Sequence, residues 1–236
     1  MTGMSLSIVC KSLVDDSAAC FGVIAATGVR VIDSPPGLSA LLDQAIAQAV
    51  RGDFPPPLAK DAIRALLRRG GFSPSGRNKP SSEYLGQAAR EDRFPRINNL
   101  VDINNLVSLE SGLPISLLDM AEFPNGMNLR YGQAGERYVF NAGGQEIDLA
   151  GLLSVCGGQD GQVPLGNAVK DSMRGKIKAE SSGVLVTIYA SAEAINLIAL
   201  QELCRRFAQL LIDFGGAQST DCGVLGAGEN RLNLQS

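Results

Sequence analysis

Between Phe94 and Asp119 the chain reads FPRINNLVDINNLVSLESGLPISLLD. Four asparagines (Asn98, Asn99, Asn104 and Asn105) surround Asp102 there, among apolar residues that recur at helical spacing. Asn and Asp compete with the helix backbone for hydrogen bonds, so helix propensity does not account for them. What they bring is chemistry: amide donors, amide acceptors and one carboxylate, each of short and definite reach. Residues three and four apart share a helix face, so Asn98, Asp102 and Asn105 can converge on one side. Leu100, Ile103, Leu106 and Val107 occupy much of the rest. A polar face opposite an apolar one can be a plain solvent face, but such faces are usually built from Lys and Glu. The segment therefore points to a ligand-binding or hydrogen-bonding role.

A second constellation is basic. Lys60, Arg64, Arg68, Arg69, Arg77 and Lys79 cluster with only Asp61 opposing them, in a chain whose net charge is −3. Cations on a helix and an adjoining loop suit phosphate-backbone contacts, and the competing reading is a solvated helix face. Immediately after them, Lys79-Pro80-Ser81-Ser82-Glu83 offers two hydroxyls and a carboxylate, which can bind a polar ligand or cap a short helix.

The 236 residues contain no histidine. That excludes Ser-His-Asp triads, Cys-His dyads and HExxH zinc sites within this chain. Any chemistry must use carboxylates, Lys, Tyr, hydroxyls, thiols, or backbone and water. The five cysteines (Cys10, Cys20, Cys156, Cys204 and Cys222) are scattered without CxxC pairs, so buried reduced thiols are expected rather than disulfides or zinc ligands. Neither a metal nor a cofactor is expected. The Gly226-Ala227-Gly228 triplet follows no convincing strand and is discounted as a nucleotide site.

These residues need a scaffold. A hydrophobic share of 45% and a charged share of 19% are ordinary for a globular protein. No apolar run approaches membrane-spanning length, and the start MTGMSLSIVCK lacks a signal-peptide layout, so a cytoplasmic location is expected. Cys20–Ala25 and Val29–Ile32 read as a hairpin. Helices are expected over Leu38–Val50, Ala59–Arg69, the Asn-rich segment up to Gly112, and Ala192–Phe214. The stripe of the last helix would comprise Ile195, Ile198, Leu203, Phe207, Leu210 and Leu211. Met127–Tyr131 and Arg137–Phe140 alternate as strands joined by a turn. Val184–Tyr189 is a buried strand, while Glu146–Leu149, Gly161–Leu165 and Gly175–Lys178 are weaker ones. The stretch from Ala217 reads as polar, Gly-rich and prone to fraying. Strands and helices mix without a βαβ rhythm, which indicates an α+β fold, taken as a single domain over residues 1–236.

The run PRINNLVDINNLVSLESGLP resembles the heart of the B3/B4 domain of the phenylalanyl-tRNA synthetase β chain, whose pattern is roughly R-x-I-N-x-V-V-D-x-T-N-Y-V-x-L-E-x-G-Q-P. Weaker echoes are the KPSSE loop, Leu129-Arg130, Gly135-Glu136, Val163-Pro164-Leu165-Gly166 and Asp171-Ser172, where Lys170 stands in place of an Arg. The likeness runs from about Lys79 to Tyr189, with residues 1–78 and the helix over 192–214 as integral extensions. It implies a layered α+β domain with a β-sandwich-like core flanked by helices. It also implies that Asn104 and Asn105 take the places of a Thr-Asn pair in a pocket that holds the terminal adenosine of tRNA and a wrongly attached tyrosine. The family's G-Q-P-x-H histidine is replaced by Ser116 in Gly112-Leu113-Pro114-Ile115-Ser116.

The expectation is a free-standing relative of that domain that binds tRNA or its aminoacylated 3′ end, or a similar aminoacyl ester, with hydrolysis of mischarged aminoacyl-tRNA in trans as an optional activity. The pocket residues would be Asn104, Asn105, Ser116, Asp102, Ser81, Ser82 and Glu83, and Arg64, Arg68, Arg69, Arg77 and Lys79 would contact RNA. Neither DNA nor a membrane is an expected partner. The alternatives are a non-catalytic binding module and a binder of a small metabolite.

Overall fold

The computed structural model describes residues 7–226 and 231–235, which form five α-helices and eleven strands. One sheet has the order β11-β1-β4-β7-β8 and uses Arg231–Gln235, Ser7–Ser12, Met127–Tyr131, Leu153–Gly157 and Val163–Asn167. A second has the order β10-β2-β9-β3 and uses Ser219–Leu225, Ala19–Thr27, Gly183–Ser191 and Ile115–Asp119. A small β5-β6 ribbon joins Arg137–Val139 to Glu146–Asp148. The fold is α+β.

The second sheet is the middle layer. Its β9 is buried along its whole length, because one face meets the first sheet and the other meets helices. Thr187 of β9 reaches the Met127 sulfur of β4 at 3.6 Å, across the two sheets. On the other side lie α4 (Asn99–Ser111) and α5 (Leu197–Gly215), with α1 (Pro36–Arg51) and α3 (Ser81–Arg90) packed outside α4. Burial on both faces accounts for the continuous apolar runs ACFGVIAAT and GVLVTIYAS, where a half-solvated strand would alternate.

The expected hairpin at Cys20–Ile32 does not form. Apolar β2 pairs with β9 over nine residues and with β10 on its other edge, so it has no free edge for residues 29–32. Those residues run extended, and their backbone groups are satisfied elsewhere. Val29 N–H donates to Ser182 O and Arg30 N–H to Gly215 O. Asn99 Oδ1 accepts from Ile32 N–H at 3.0 Å, and Asn99 Nδ2 donates to Arg30 O at 2.9 Å and Phe214 O at 2.8 Å.

Other expectations also need correcting. Met127–Tyr131 and Arg137–Val139 are both strands, but they belong to different sheets and do not pair with each other. The strand sought at Gly161–Leu165 lies at Val163–Asn167, and Gly175–Lys178 makes only an isolated bridge from Lys176 to Leu118. The last helix begins at Leu197, leaving Ile195 before it, and Ile198 is 79% exposed rather than in the stripe. Ser219–Leu225 and Arg231–Gln235 are not frayed; as β10 and β11 they add one strand to each sheet. Of the GxG triplet, Ala227 and Gly228 lie outside the described residues.

Helix α2 (Pro57–Arg69) begins with proline at its first position, where the missing N–H has no partner to lose. Helix α4 ends at Gly112, whose φ of +75° is the left-handed conformation that closes a helix end.

Candidate functional site

Three of the five polar residues in the Asn-rich segment build the N-terminus of α4. Asn98 is its N-cap, its side chain accepting from Val101 N–H at 3.0 Å. Fully buried Asn99 holds residues 30–32 to the end of α5, as described above. Asp102 accepts from Ser34 Oγ at 2.7 Å and from Ile97 N–H at 3.2 Å. Asn104 and Asn105 lie one turn further on. They touch each other only at the limit of hydrogen bonding, 3.5 Å from Nδ2 to Oδ1, and Asn104 Oδ1 is buried without a partner.

Ser116 lies on β3 and is fully buried. Its Oγ donates to Asp171 Oδ1 at 2.6 Å and lies 2.9 Å from the buried Tyr189 hydroxyl, which is left to donate to it. Asp171 also accepts from Asn167 N–H and Leu117 N–H, each at 3.3 Å. Burial raises the Asp171 carboxyl to about 6, against the opposing pull of these donors and of Lys176. Gly166 is required here, since a Cβ would meet Asp171 Oδ1 at 2.6 Å and Ser116 Oγ at 2.9 Å.

The network continues outward to a surface cleft. Asn167 donates through Nδ2 to the Tyr138 hydroxyl, which in turn donates to Lys170 O at 2.6 Å. Asn167 Oδ1 accepts from the Val169 and Lys170 N–H groups, both at 2.8 Å. Lys170 and Val169 thereby form one wall of a cleft of about 520 Å³. The rest is Gly76, Arg77, Lys79, Ser81, Tyr84, Gln87, Phe140, Asn141 and Lys176. The volume suits a small ligand or the end of a chain, being within the usual span of about 300–1,000 Å³. Four cations line it and no carboxylate does.

The expected site residues thus separate. Arg77, Lys79 and Ser81 lie on the cleft, whereas Asn104, Asn105, Asp102 and Ser116 do not line it. Ser81 is the first residue of α3 and donates its N–H to Ala168 O; Pro80 is the N-cap, so neither serine caps the helix. Ser82 is buried, and Glu83 is buried in a two-pronged pair with Arg64, both contacts at 2.7 Å. That pair ties α2 to α3 and engages both groups with each other. Arg69 meets Asp16 at 2.7 Å and Glu193 at 3.4 Å, leaving Arg68 exposed at the end of α2.

Sequence reasoning missed Tyr138, Phe140, Asn167 and Lys176 as parts of this site. Lys170 had one signal, its place beside Asp171-Ser172. Segments 138–141 and 167–176 are far from the 76–87 segment in sequence and meet it through long-range bonds: Ser81 N–H donates to Ala168 O, Tyr138 to Lys170 O, Met173 N–H to Val139 O and Lys176 to Phe140 O. Burial raises the thiols of Cys10, Cys156 and Cys204 to about 12 and that of Cys20 to about 11, so these cysteines are inert packing groups. Among the described residues no helix is long and apolar enough to cross a membrane.

The fold is of the layered α+β class, and the B3/4 domain model matches residues 74–203. The chain belongs to the B3/4 domain family. It is similar to the phenylalanine–tRNA ligase beta subunit of Synechococcus sp. (strain JA-3-3Ab), with 27% identity over 167 residues, 58% of this chain and 20% of that one. The beta subunit of Gloeobacter violaceus is 26% identical over 161 residues, covering 59% of this chain and 20% of its own length. That of Pseudomonas putida is 35% identical over 72 residues, covering 30% and 9%. The chain spans about a fifth or less of the length of these relatives.

Proposed function

We propose that this is a cytoplasmic protein that binds the aminoacylated 3′ end of tRNA in the cleft bounded by Arg77, Lys79, Lys170 and Lys176. The observation that carries the reading is that all eleven lining residues fall within 74–203, the segment that matches the B3/4 domain, and that four of them are cations without a carboxylate among them. The relatives are subunits of a tRNA ligase, which makes a tRNA end the natural anionic partner. Arg64 and Arg69 play a smaller part in this reading than the sequence suggested, because each faces a carboxylate.

Binding without hydrolysis is the favoured form, since Ser116, in the histidine position, is fully buried and its hydroxyl is engaged by Asp171 and Tyr189. Hydrolysis of a mischarged ester is the second reading. It is favoured by Asp171, whose carboxyl at about 6 is suited to accept a proton near neutral pH and which follows Lys170 of the cleft wall.

The test is binding and deacylation of Tyr-tRNA(Phe) by the purified protein. Binding should weaken steeply between about 50 and about 200 mM salt, as counterion release requires. Stable ester in the bound complex supports the binding module. Deacylation that disappears in Asp171→Asn supports the second reading, and no affinity for tRNA even at low salt sinks both.

A further inference from the structure

The four cations of the cleft are not equivalent. Lys176 Nζ donates to the Phe140 carbonyl at 2.6 Å, and Lys79 Nζ donates to Gln87 Oε1, so these two ammoniums hold the walls together. Among the described residues, the Arg77 guanidinium and the Lys170 ammonium have neither a hydrogen-bond acceptor nor a carboxylate. Lys170 is nevertheless firmly placed. Its N–H and C=O are held by Asn167 and Tyr138, and its ammonium sits 4.1 Å from the centroid of the Phe140 ring. Burial first, and then the neighbouring Arg77, hold its pKa below the ordinary lysine value. The half-buried Lys170 and the exposed Arg77 therefore share one wall of the cleft with no counter-ion among the described residues, a repulsion that a bound anion would remove. The same wall carries the start of α3, where Ser81 lies in the cleft and Pro80 provides no side-chain cap, so the positive end of the helix dipole adds to the field.

We infer that Arg77 and Lys170 form a clip for the phosphate of a nucleotide, with its base or sugar against Tyr84 and Val169. Tyr84 is 46% exposed and lies on the cleft with one contact to Arg93, and Val169 and Phe140 extend the apolar lining. A phosphate monoester, with close to two negative charges, suits the site better than a singly charged carboxylate because two unpaired cations from separate segments line the same cleft beside a helix start. The clip rests on the tRNA-end reading for the natural source of the nucleotide, but its chemistry can be tested without tRNA.

The purified protein is titrated by calorimetry with AMP, adenosine and inorganic phosphate, and separately with tRNA at low salt. The variants are Arg77→Ala, Lys170→Ala and Lys170→Gln, the last retaining part of the stem that rests on Phe140, with exposed Arg205→Ala on α5 as a control outside the cleft. AMP should bind more tightly than adenosine, and each cleft variant should weaken AMP by about tenfold or more, the usual effect of losing a charge-assisted contact. Arg205→Ala should leave AMP binding unchanged. AMP no tighter than adenosine, or equal binding by folded Arg77→Ala and Lys170→Gln, overturns the clip. Salt-dependent tRNA binding that these variants leave intact overturns the clip alone. AMP binding that depends on both residues, without any tRNA affinity, keeps the clip and overturns the tRNA reading.

Discussion

At the scale of single residues, Asn98 and Asn99 hold the fold at the start of α4. Asn99 satisfies one N–H and two carbonyls from segments that have no strand partner, at complete burial. Asn99→Ala is expected to destabilise the protein by roughly 3 kcal/mol, because several buried backbone groups lose their partner at once. Asn99→Asp should not rescue it, since a carboxylate would face the Arg30 and Phe214 carbonyls. Urea denaturation of the two variants checks this, and an unchanged midpoint would show the three bonds to be dispensable. Asp171 makes a prediction about pH. Its carboxyl is near 6 in the fold against an ordinary 3.8, so the folded state holds this proton more tightly than the unfolded chain. Its contribution therefore becomes more favourable as pH falls from about 6 towards 3.8, and is lost as pH rises through that window. Stability measured across the window should show this slope, and Asp171→Asn should remove it. A wild type and variant with parallel pH profiles would place the titration elsewhere. The asparagines were conspicuous in the sequence, but whether each meets a ligand or a distant carbonyl depends on segments 67 or more residues away, which spacing along one helix does not encode.

At the scale of elements, local signals were legible where local physics decides. Proline at the first position of α2, glycine after α4 and the apolar period of α1 all mark helices within a few residues. Met127–Tyr131 was also readable, because alternation survives on a strand with one more polar face. Strand pairing was not readable in the same way. β3 and β7, with sequences ISLLD and LSVCG, are short and buried throughout, so they lack alternation. Val29–Ile32 has strand-like residues but no edge to join. Two glycines allow the cost of a helix end to be separated from its packing. Gly112 has φ +75° and a Cβ there would lie 2.7 Å from Pro56 Cδ, whereas Gly71 has φ +89° with nothing within 4 Å. Gly71→Ala should cost about 1 kcal/mol from backbone strain alone. Gly112→Ala should cost more, because the start of α2 must also move. Equal losses in thermal or chemical unfolding would show that the α2–α4 junction yields freely.

At the scale of the whole molecule, the two sheets are each completed by the end of the chain. β10 pairs with β2 over seven residues, and β11 pairs with β1 over five. The composition of residues 217–235 hid this. Gly223 and several polar residues make the stretch look irregular, yet edge strands are half solvated and need only alternate buried positions such as 223 and Leu225 on β10 and Leu234 on β11. Gly223 is itself a close-packing position, since a Cβ would meet Leu232 Cδ1 at 2.7 Å where the two strands pass each other. The cleft lies at the other end of the first sheet, beyond β8, so the tail and the ligand site are separate parts of one scaffold. Removing residues 217–236 would expose the edge of β2, a strand of nine mostly apolar residues, and the edge of β1. Unpaired apolar edges recruit other chains. The truncated protein is therefore expected to lose cooperative unfolding and to associate in size-exclusion chromatography. Amide exchange should rise along β1 and β2 before it rises at Lys170 and Asp171. A monomeric truncated protein with unchanged melting and protected β2 amides would mean that the middle layer is closed by α5 without the tail.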